Sequence, residues 1–363
     1  MEQTIKFCRT EDGVRIAYAT LGQGPPLVWV ASWLTHLDLD LNNPLLSHWF
    51  RALSQQHTLI RFDARGNGLS DRDVHDLGVK AWARDLKTVV DDLGLDNFNL
   101  LGFCQGGAAA VHYTATHPER VDRLVLYDSF ARGAFTPDSS AKEQRQAEAL
   151  AEMIAVGWGR ETAAFRKVFT DLLIPEASPR EISWLTELQR ATVSPRMAVN
   201  LWRAFHTIDI RKTARRLTVP VVIFHVRGDQ MVPFEAGREL AALIPDAQFV
   251  PLQGHNHILL EEDPSWKRFL SELNSFLGNR GPRWTEEELE KAVSLLTPRE
   301  IEVLQLVGEG LSNHKIAEIL VIAPKTARNH VSRIYGKLSV DSRAQAVLFA
   351  QQANLVRSRS KLS

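Results

Sequence analysis

Three residues far apart in the chain, Cys104, Asp229 and His257, are of the types that build a nucleophilic site. Cys104 lies in Gly102-Phe103-Cys104-Gln105-Gly106, after the apolar run 98–102 and before a stretch of small residues. A strand that turns sharply into a helix needs small residues on either side of the turn, because a Cβ there would strike its neighbours. Glycine, any residue, nucleophile, any residue, glycine is that turn, here with cysteine where serine is usual. The N–H of Gln105 then falls at a helix start, where it can hold a developing oxyanion. A five-residue pattern is weak alone, so its partners carry the case. The apolar run from Val221 leads through Gly228 to Asp229, and Gly254-His255-Asn256-His257 follows. An acid can orient a histidine, and a histidine can move a proton to and from sulfur. A thiol in such a place can also bind an electrophile reversibly, or fill space as a small apolar side chain.

These side chains need a scaffold. Asp12-Gly13 between the runs 5–9 and 14–20 predicts a hairpin. Short apolar runs at 27–31, 57–62, 98–102 and 121–127 read as strands, and 79–93 and 108–117 as helices. That alternation predicts a mostly parallel sheet with helices on both faces. From Pro137 to about Ala214 the chain is rich in Ala, Glu, Arg and Gln and carries six large aromatics, among them Trp158, Trp202 and Phe205. It reads as a helical insertion whose aromatics form its own core or line a cavity beneath a cap. Strands return at 219–225 and 247–250, a helix follows at 265–277, Gly278 to Pro282 is the best linker, and 284–296 reads as a further helix with Glu286, Glu287 and Glu288 near its start.

Residues 14–277 resemble the α/β-hydrolases. Asp63-Ala64-Arg65-Gly66-Asn67-Gly68-Leu69-Ser70 matches that family's D-x-R-G-x-G-x-S loop, and nucleophile, acid, histidine is its chain order. The resemblance implies Cys104 as nucleophile, His257 as base and Asp229 as the acid that orients it. The family's histidine precedes Glu by five and Pro by seven; His257 does so with Glu262 and Pro264, and His255 does neither. Asp128, just after a strand, is a second candidate for the acid. The second oxyanion donor is expected at Trp33 N–H, with Ser32 as the alternative. This sequence departs from the family in reading Ala31-Ser32 where His-Gly is usual, and in its cysteine.

The tail has a different chemistry. Thr297, Pro298 and Glu300 form a capping box, and Val303, Leu304, Leu306 and Val307 an apolar stripe. A short helix is predicted over Asn313–Leu320, and Pro324 opens a third. In that helix Ala327, Val331, Ile334 and Leu338 keep helical spacing, while Lys325, Arg328, Asn329 and Ser332 share the opposite face. Arg and Asn can grip base edges in the major groove. Lys315, Arg333 and Lys337 suit phosphates. Residues 295–354 resemble the LuxR/GerE helix-turn-helix, through Leu296-Thr297-Pro298-Arg299-Glu300, Gly310-Leu311-Ser312-Asn313, Lys325-Thr326 and Asn329-His330-Val331. The resemblance implies DNA as partner, a last helix over about 342–353 for dimerisation, and a homodimer on a two-fold site. Ala323 stands where a capping Ser or Thr is usual, and Ala327 where Val is.

Composition agrees with this division. Of 43 basic and 43 acidic residues, ten and five fall within 297–363, so a basic tail follows an acidic body. Two cysteines, Cys8 and Cys104, make no disulfide framework. No apolar run is long enough for a bilayer, and the N-terminus lacks a signal pattern, so the expected address is cytoplasmic. No metal cluster or phosphate-cradling loop is evident, and no cofactor is expected. The reading is an α/β-hydrolase fold with a helical cap over 1–278, a linker at 279–294 and an all-α LuxR-type domain at 295–363. Its function would be a one-component DNA-binding regulator that senses a small ester- or lactone-type ligand. The alternative is a working cysteine hydrolase with an accessory DNA-binding tail.

Overall fold

A computed structural model describes residues 3–158, 160, 163–278, 286–309 and 311–338, with positions 340, 346, 349, 350, 353 and 355. The chain forms two compact units, Met1–Ser271 and Glu272–Ser363.

The first unit is built on eight strands: β1 (Thr4–Arg9), β2 (Arg15–Leu21), β3 (Pro26–Val30), β4 (Thr58–Asp63), β5 (Phe98–Phe103), β6 (Val121–Tyr127), β7 (Val221–Val226) and β8 (Gln248–Leu252). Their order in the sheet is β1-β2-β4-β3-β5-β6-β7-β8. β1 and β2 form the predicted hairpin, with Thr4 opposite Thr20, and β2 joins β4 antiparallel. From β4 to β8 every pairing is parallel. Every residue of β5 and β7 is buried, as central parallel strands covered on both faces must be.

Helices α1 (Leu37–Asp40), α2 (Ser47–Ser54), α3 (Val79–Asp92) and α4 (Gly106–Thr116) connect the early strands. The cap is α5 (Ala141–Gly157), α6 (Ala163–Leu173), α7 (Pro179–Thr192), α8 (Pro195–His206) and α9 (Arg211–Ala214); α10 (Phe234–Leu243) and α11 (Pro264–Leu277) follow. Capping boxes at Ser140 and Ser178, and Ser194 Oγ accepting from Met197 N–H, start three cap helices without help from the sheet. The cap aromatics meet one residue of the main sheet layer. Trp33 lies 5.2 Å from Trp158, 6.0 Å from Trp202 and 5.5 Å from Phe205, measured between ring centres. These rings are therefore mostly a packed core, and they pin the loop after β3.

The loop after β4 is fixed by charge. Arg65 is fully buried and donates to Asp85 at 2.8 Å and to Asp12 at 2.8 Å. Removing one partner of such a buried pair typically costs about 3–5 kcal/mol, so the pairs fix a loop that holds no reactive group.

The second unit contains α12 (Glu286–Ser294), α13 (Pro298–Gly308), α14 (Asn313–Leu320) and α15 (Pro324–Leu338). The Thr297–Glu300 capping box forms as read from the sequence. Val303, Leu304, Val307, Ile316, Ala327, Val331, Ile334 and Leu338 make the core. Leu289 belongs to that core too, with Val293 packed against it. The later part of the stretch expected as linker is thus a packed helix, because its apolar residues recur at helical spacing. Residues 279–285, and most of the predicted dimerisation helix at 342–353, lie outside the described residues.

Candidate active site and DNA-binding face

β5 delivers Cys104 into a turn whose backbone is left-handed at that residue, with φ of 52°. A non-glycine residue in that region stores strain, and such strain concentrates at functional positions. The turn holds because its flanks are glycine. A Cβ on Gly106 would sit 2.3 Å from Val30 O, and one on Gly102 would sit 2.6 Å from Gly107 Cα. Cys104 N–H donates to Tyr127 O at 2.8 Å, which ties the turn to the end of β6. The thiol is buried, 4% exposed.

His257 arrives on the loop after β8, also buried, and its N–H donates to Leu173 O of the cap. Its Nδ1 lies 2.7 Å from Asp229 Oδ2. Asp229 is itself aimed by the backbone, since its Oδ1 accepts from Met231 N–H at 2.7 Å and Val232 N–H at 3.0 Å. His257 Nε2 is buried with no hydrogen-bond partner among the described residues, and the Cys104 side chain is close enough to act on the ring electrostatically. Burial opposes a charge on His257. The Asp229 carboxylate, then Cys104, outweigh it and raise the imidazole well above its ordinary pKa.

Asp128 stands 3.6 Å from the same Nδ1 and accepts Val226 N–H at 2.8 Å. Burial, then the charge of Asp229, pushes Asp128 far above the usual carboxylate range. The two acids thus stand differently: Asp229 accepts from the histidine at 2.7 Å, and Asp128, buried beside that charge, is raised. His255 is exposed and points elsewhere, against Gly228. Asp128, Asp229 and His257 offer metal-ligand atoms within 4.8 Å of one another. Two of those atoms are already joined at 2.7 Å, which leaves no space for an ion between them.

The expected oxyanion donors flank the turn. The N–H groups of Gln105 and Trp33 donate to no acceptor among the described residues. Ser32, Trp33, Ala31 and Gln105 line a narrow space of about 20 Å³ beside Gly106. A second cavity of about 50 Å³ borders His257, Phe103, Ser32 and Trp33, roofed by Leu173, Leu185 and Leu188 of the cap. Its far wall is polar: Arg61, Asp40, Asn43 and Asp63. Sequence reading missed this wall, although one signal was present, an arginine inside the apolar run of β4.

In the second unit, Lys325, Thr326, Arg328, Asn329, Ser332 and Arg333 are all exposed on α15, opposite its buried Ala327, Val331 and Ile334. Lys315 is exposed and pairs with Glu318 at 2.7 Å. Lys337 is less free than the sequence suggested. Its Nζ donates to Glu300 Oε2 at 2.7 Å and to Leu295 O at 3.1 Å, so a phosphate would compete with Glu300. Val321, at the turn between α14 and α15, is left-handed with φ of 52° and 89% exposed.

A strained cysteine at the end of a central strand, beneath a roof of helices and with an acid–histidine pair beside it, defines the hydrolase frame. The chain belongs to the alpha/beta hydrolase fold family, which residues 25–264 match. Its C-terminal unit is a DNA-binding domain of the luxR family of bacterial regulatory proteins, matched over residues 294–350. The chain is 27% identical over 253 residues to the AB hydrolase superfamily protein YisY of Bacillus subtilis, covering 69% of this chain and 91% of that one. The tail is 51% identical over 63 residues to the transcriptional regulatory protein DegU of Brevibacillus brevis, which is 17% of this chain and 27% of that protein. The esterase EaEST from Exiguobacterium antarcticum shares the fold, with a TM-score of 0.66 and 23% identity over 75% of this chain and 99% of that one. No helix among the described residues is long and apolar enough to cross a membrane.

Proposed function

We propose that this protein is a one-component transcription regulator whose hydrolase-like unit reacts with a small ester or lactone through Cys104, His257 and Asp229. The observation that carries the reading is the His257–Asp229 hydrogen bond of 2.7 Å beside a buried, strained Cys104. In the reaction the Cys104 sulfur attacks the acyl carbon and its proton passes to His257. The carbon–oxygen bond of the ester breaks, and His257 returns the proton to the leaving alkoxide. Water then attacks the thioester while His257 accepts a proton from it, and the proton returns to sulfur as the acid leaves. Gln105 and Trp33 N–H groups would hold the oxyanion in both halves. In a lactone the leaving alkoxide stays attached, so the ligand remains on the protein until water releases it. The exposed face of Lys325, Arg328, Asn329 and Ser332 reads bases, with Lys315, Arg333 and Lys337 toward phosphates and a homodimer on a two-fold site. A small apolar cavity favours a compact ligand over a polymer.

The test is intact-protein mass and burst kinetics with activated esters and unsaturated lactones, comparing wild type with Cys104→Ala. Cys104-dependent acylation or turnover is expected. Fast turnover indifferent to operator DNA would favour the hydrolase with an accessory tail. No adduct and no turnover with any compound would overturn the covalent role of Cys104.

A further inference from the structure

The cavity beneath the cap has a reactive end and a charged end, and only the first has been given a role. At the other end Arg61, in the middle of β4, is 3% exposed and lies flat on Phe50, its guanidinium carbon 3.9 Å from the ring centre. Its Nη2 donates to Leu37 O at 3.0 Å. Its Nε and Nη1 are buried with no partner, and among the described residues no carboxylate oxygen lies within 4.0 Å of its nitrogens. Asn43 Nδ2 and Asp40 Oδ1, on the same cavity wall, are likewise buried without partners.

An arginine keeps its charge in proteins, and a buried charge without a partner is costly. The acids nearby cancel it only in part. Burial, ahead of all other causes, raises Asp40 to about 7 and pushes Asp63 upward as well. Asp63 is also spent on the N–H groups of Leu37 and Leu69. What is left is Nε–H on one edge of the guanidinium and Nη1–H on the other, each able to act beside the second hydrogen of Nη2, with a further donor from Asn43, on the wall of an enclosed space. Two adjacent N–H groups of a guanidinium fit the two oxygens of one carboxylate.

We infer that Arg61 and Asn43 form a subsite for a carboxylate carried by the ligand, in the cavity that His257, the partner of Cys104, also borders. The inference deepens the proposed function and rests on it: the ligand is an ester or lactone that also bears a free acid. The sheet register sets a scale. Arg61 pairs with Trp29, and Trp29 with Leu101, which is three residues before Cys104. Two strand spacings and three residue rises are each on the order of 10 Å, and the arginine side chain spans part of that. A chain of a few carbons between carbonyl and carboxylate fits.

The experiment uses the full chain and mono-4-nitrophenyl esters of straight dicarboxylic acids from succinate to suberate. Each is paired with the same ester methylated at its far end. At the best length, the free acid is expected to acylate Cys104 roughly 10- to 100-fold faster than its methylated twin, the range for hydrogen bonds to charged groups. Arg61→Met is expected to remove that preference, so that the two rates within each pair become equal. Asp40→Asn enlarges the preference, since it deletes the competing negative charge, and it reads the subsite if Arg61→Met does not fold. Equal rates for every pair in wild type, or a preference that survives Arg61→Met, overturn the subsite. If no ester reacts at all, the covalent role of Cys104 fails on its own. The subsite is then read in Cys104→Ala protein by thermal shift with adipate and dimethyl adipate. Stabilisation by the acid alone that is absent in Arg61→Met or Asn43→Ala upholds it, and no stabilisation overturns it.

Discussion

The two units put their chemistry in opposite places. In the first, the working atoms are inside: Cys104, His257 and Asp229 are each under 5% exposed. They are positioned by backbone hydrogen bonds, by strain at one turn and by two glycines whose neighbours leave no room. In the second, the working atoms are outside, on one exposed face of α15, and the buried face holds only Ala, Val, Ile and Leu. An interior site in low dielectric makes a few interactions strong and fragile. An exposed site spreads a weaker, screened attraction over many side chains. The first should therefore fail all at once, and the second by degrees.

The largest expected effect follows from the single hydrogen bond between Asp229 and His257. Asp229→Asn keeps the shape but spoils the orientation of the ring, and acylation of Cys104 should fall about 10³- to 10⁴-fold. Ligand-free affinity for an operator selected from random oligonucleotides should not change. Arg328→Ala should act in the other direction. It is expected to cost about 1–3 kcal/mol on the selected operator, much less on random DNA, and nothing in Cys104 acylation. A loss of operator affinity in ligand-free Asp229→Asn, or slower acylation in Arg328→Ala, would break the contrast between the units.

The same contrast explains what was legible in the sequence. Periodicity reports which face of an element is buried, so α13, α14 and α15 and their exposed residues could be read directly. Asn313–Leu320 and the start at Pro324 agree with the structure to the residue. Motif and chain order singled out Cys104, Asp229 and His257, and the structure joins Asp229 to His257 at 2.7 Å. They ranked Asp128 second, but its distance to His257 depends on how β6 and β7 lie side by side. They could not reveal the polar wall of the cavity. Asp40 and Asn43 come from a loop and a four-residue helix without a pattern, and Arg61 sits in a strand that otherwise reads as core. Long-range placement, rather than local propensity, decides such sites.

A smaller effect is expected at the turn between α14 and α15. Val321 is β-branched and left-handed, a state that costs an L-residue about 1–2 kcal/mol and that glycine adopts freely. Its side chain is 89% exposed, so little packing is lost with it. Glycine gives back about 0.5–1 kcal/mol through unfolded-state entropy. Val321→Gly should therefore stabilise the C-terminal unit by about 0.5–1 kcal/mol in chemical denaturation, with DNA affinity unchanged. A destabilised variant would mean that Val321 is held by contacts beyond its own turn.

The smallest effect concerns Lys337, where the two kinds of site meet in one residue. Glu300 accepts from Lys337 Nζ at 2.7 Å and from Thr297 N–H at 2.8 Å, and these bring its carboxyl down to about 2. An acid with a lowered pKa stabilises the fold above its ordinary value of 4.5 and loses that contribution as pH falls toward 2. The C-terminal transition should thus weaken on acidification through this window, and Lys337→Met should flatten that slope. Partly exposed pairs are worth about 0.2–1 kcal/mol, which sets the scale at neutral pH. If the ammonium serves Glu300 rather than DNA, the salt dependence of operator binding in Lys337→Met should match wild type. Arg333→Ala should lower that slope by about 0.9, the value for one lost phosphate contact. An equal drop in Lys337→Met would return Lys337 to the DNA-binding face, with its bond to Glu300 exchanged for a phosphate on binding.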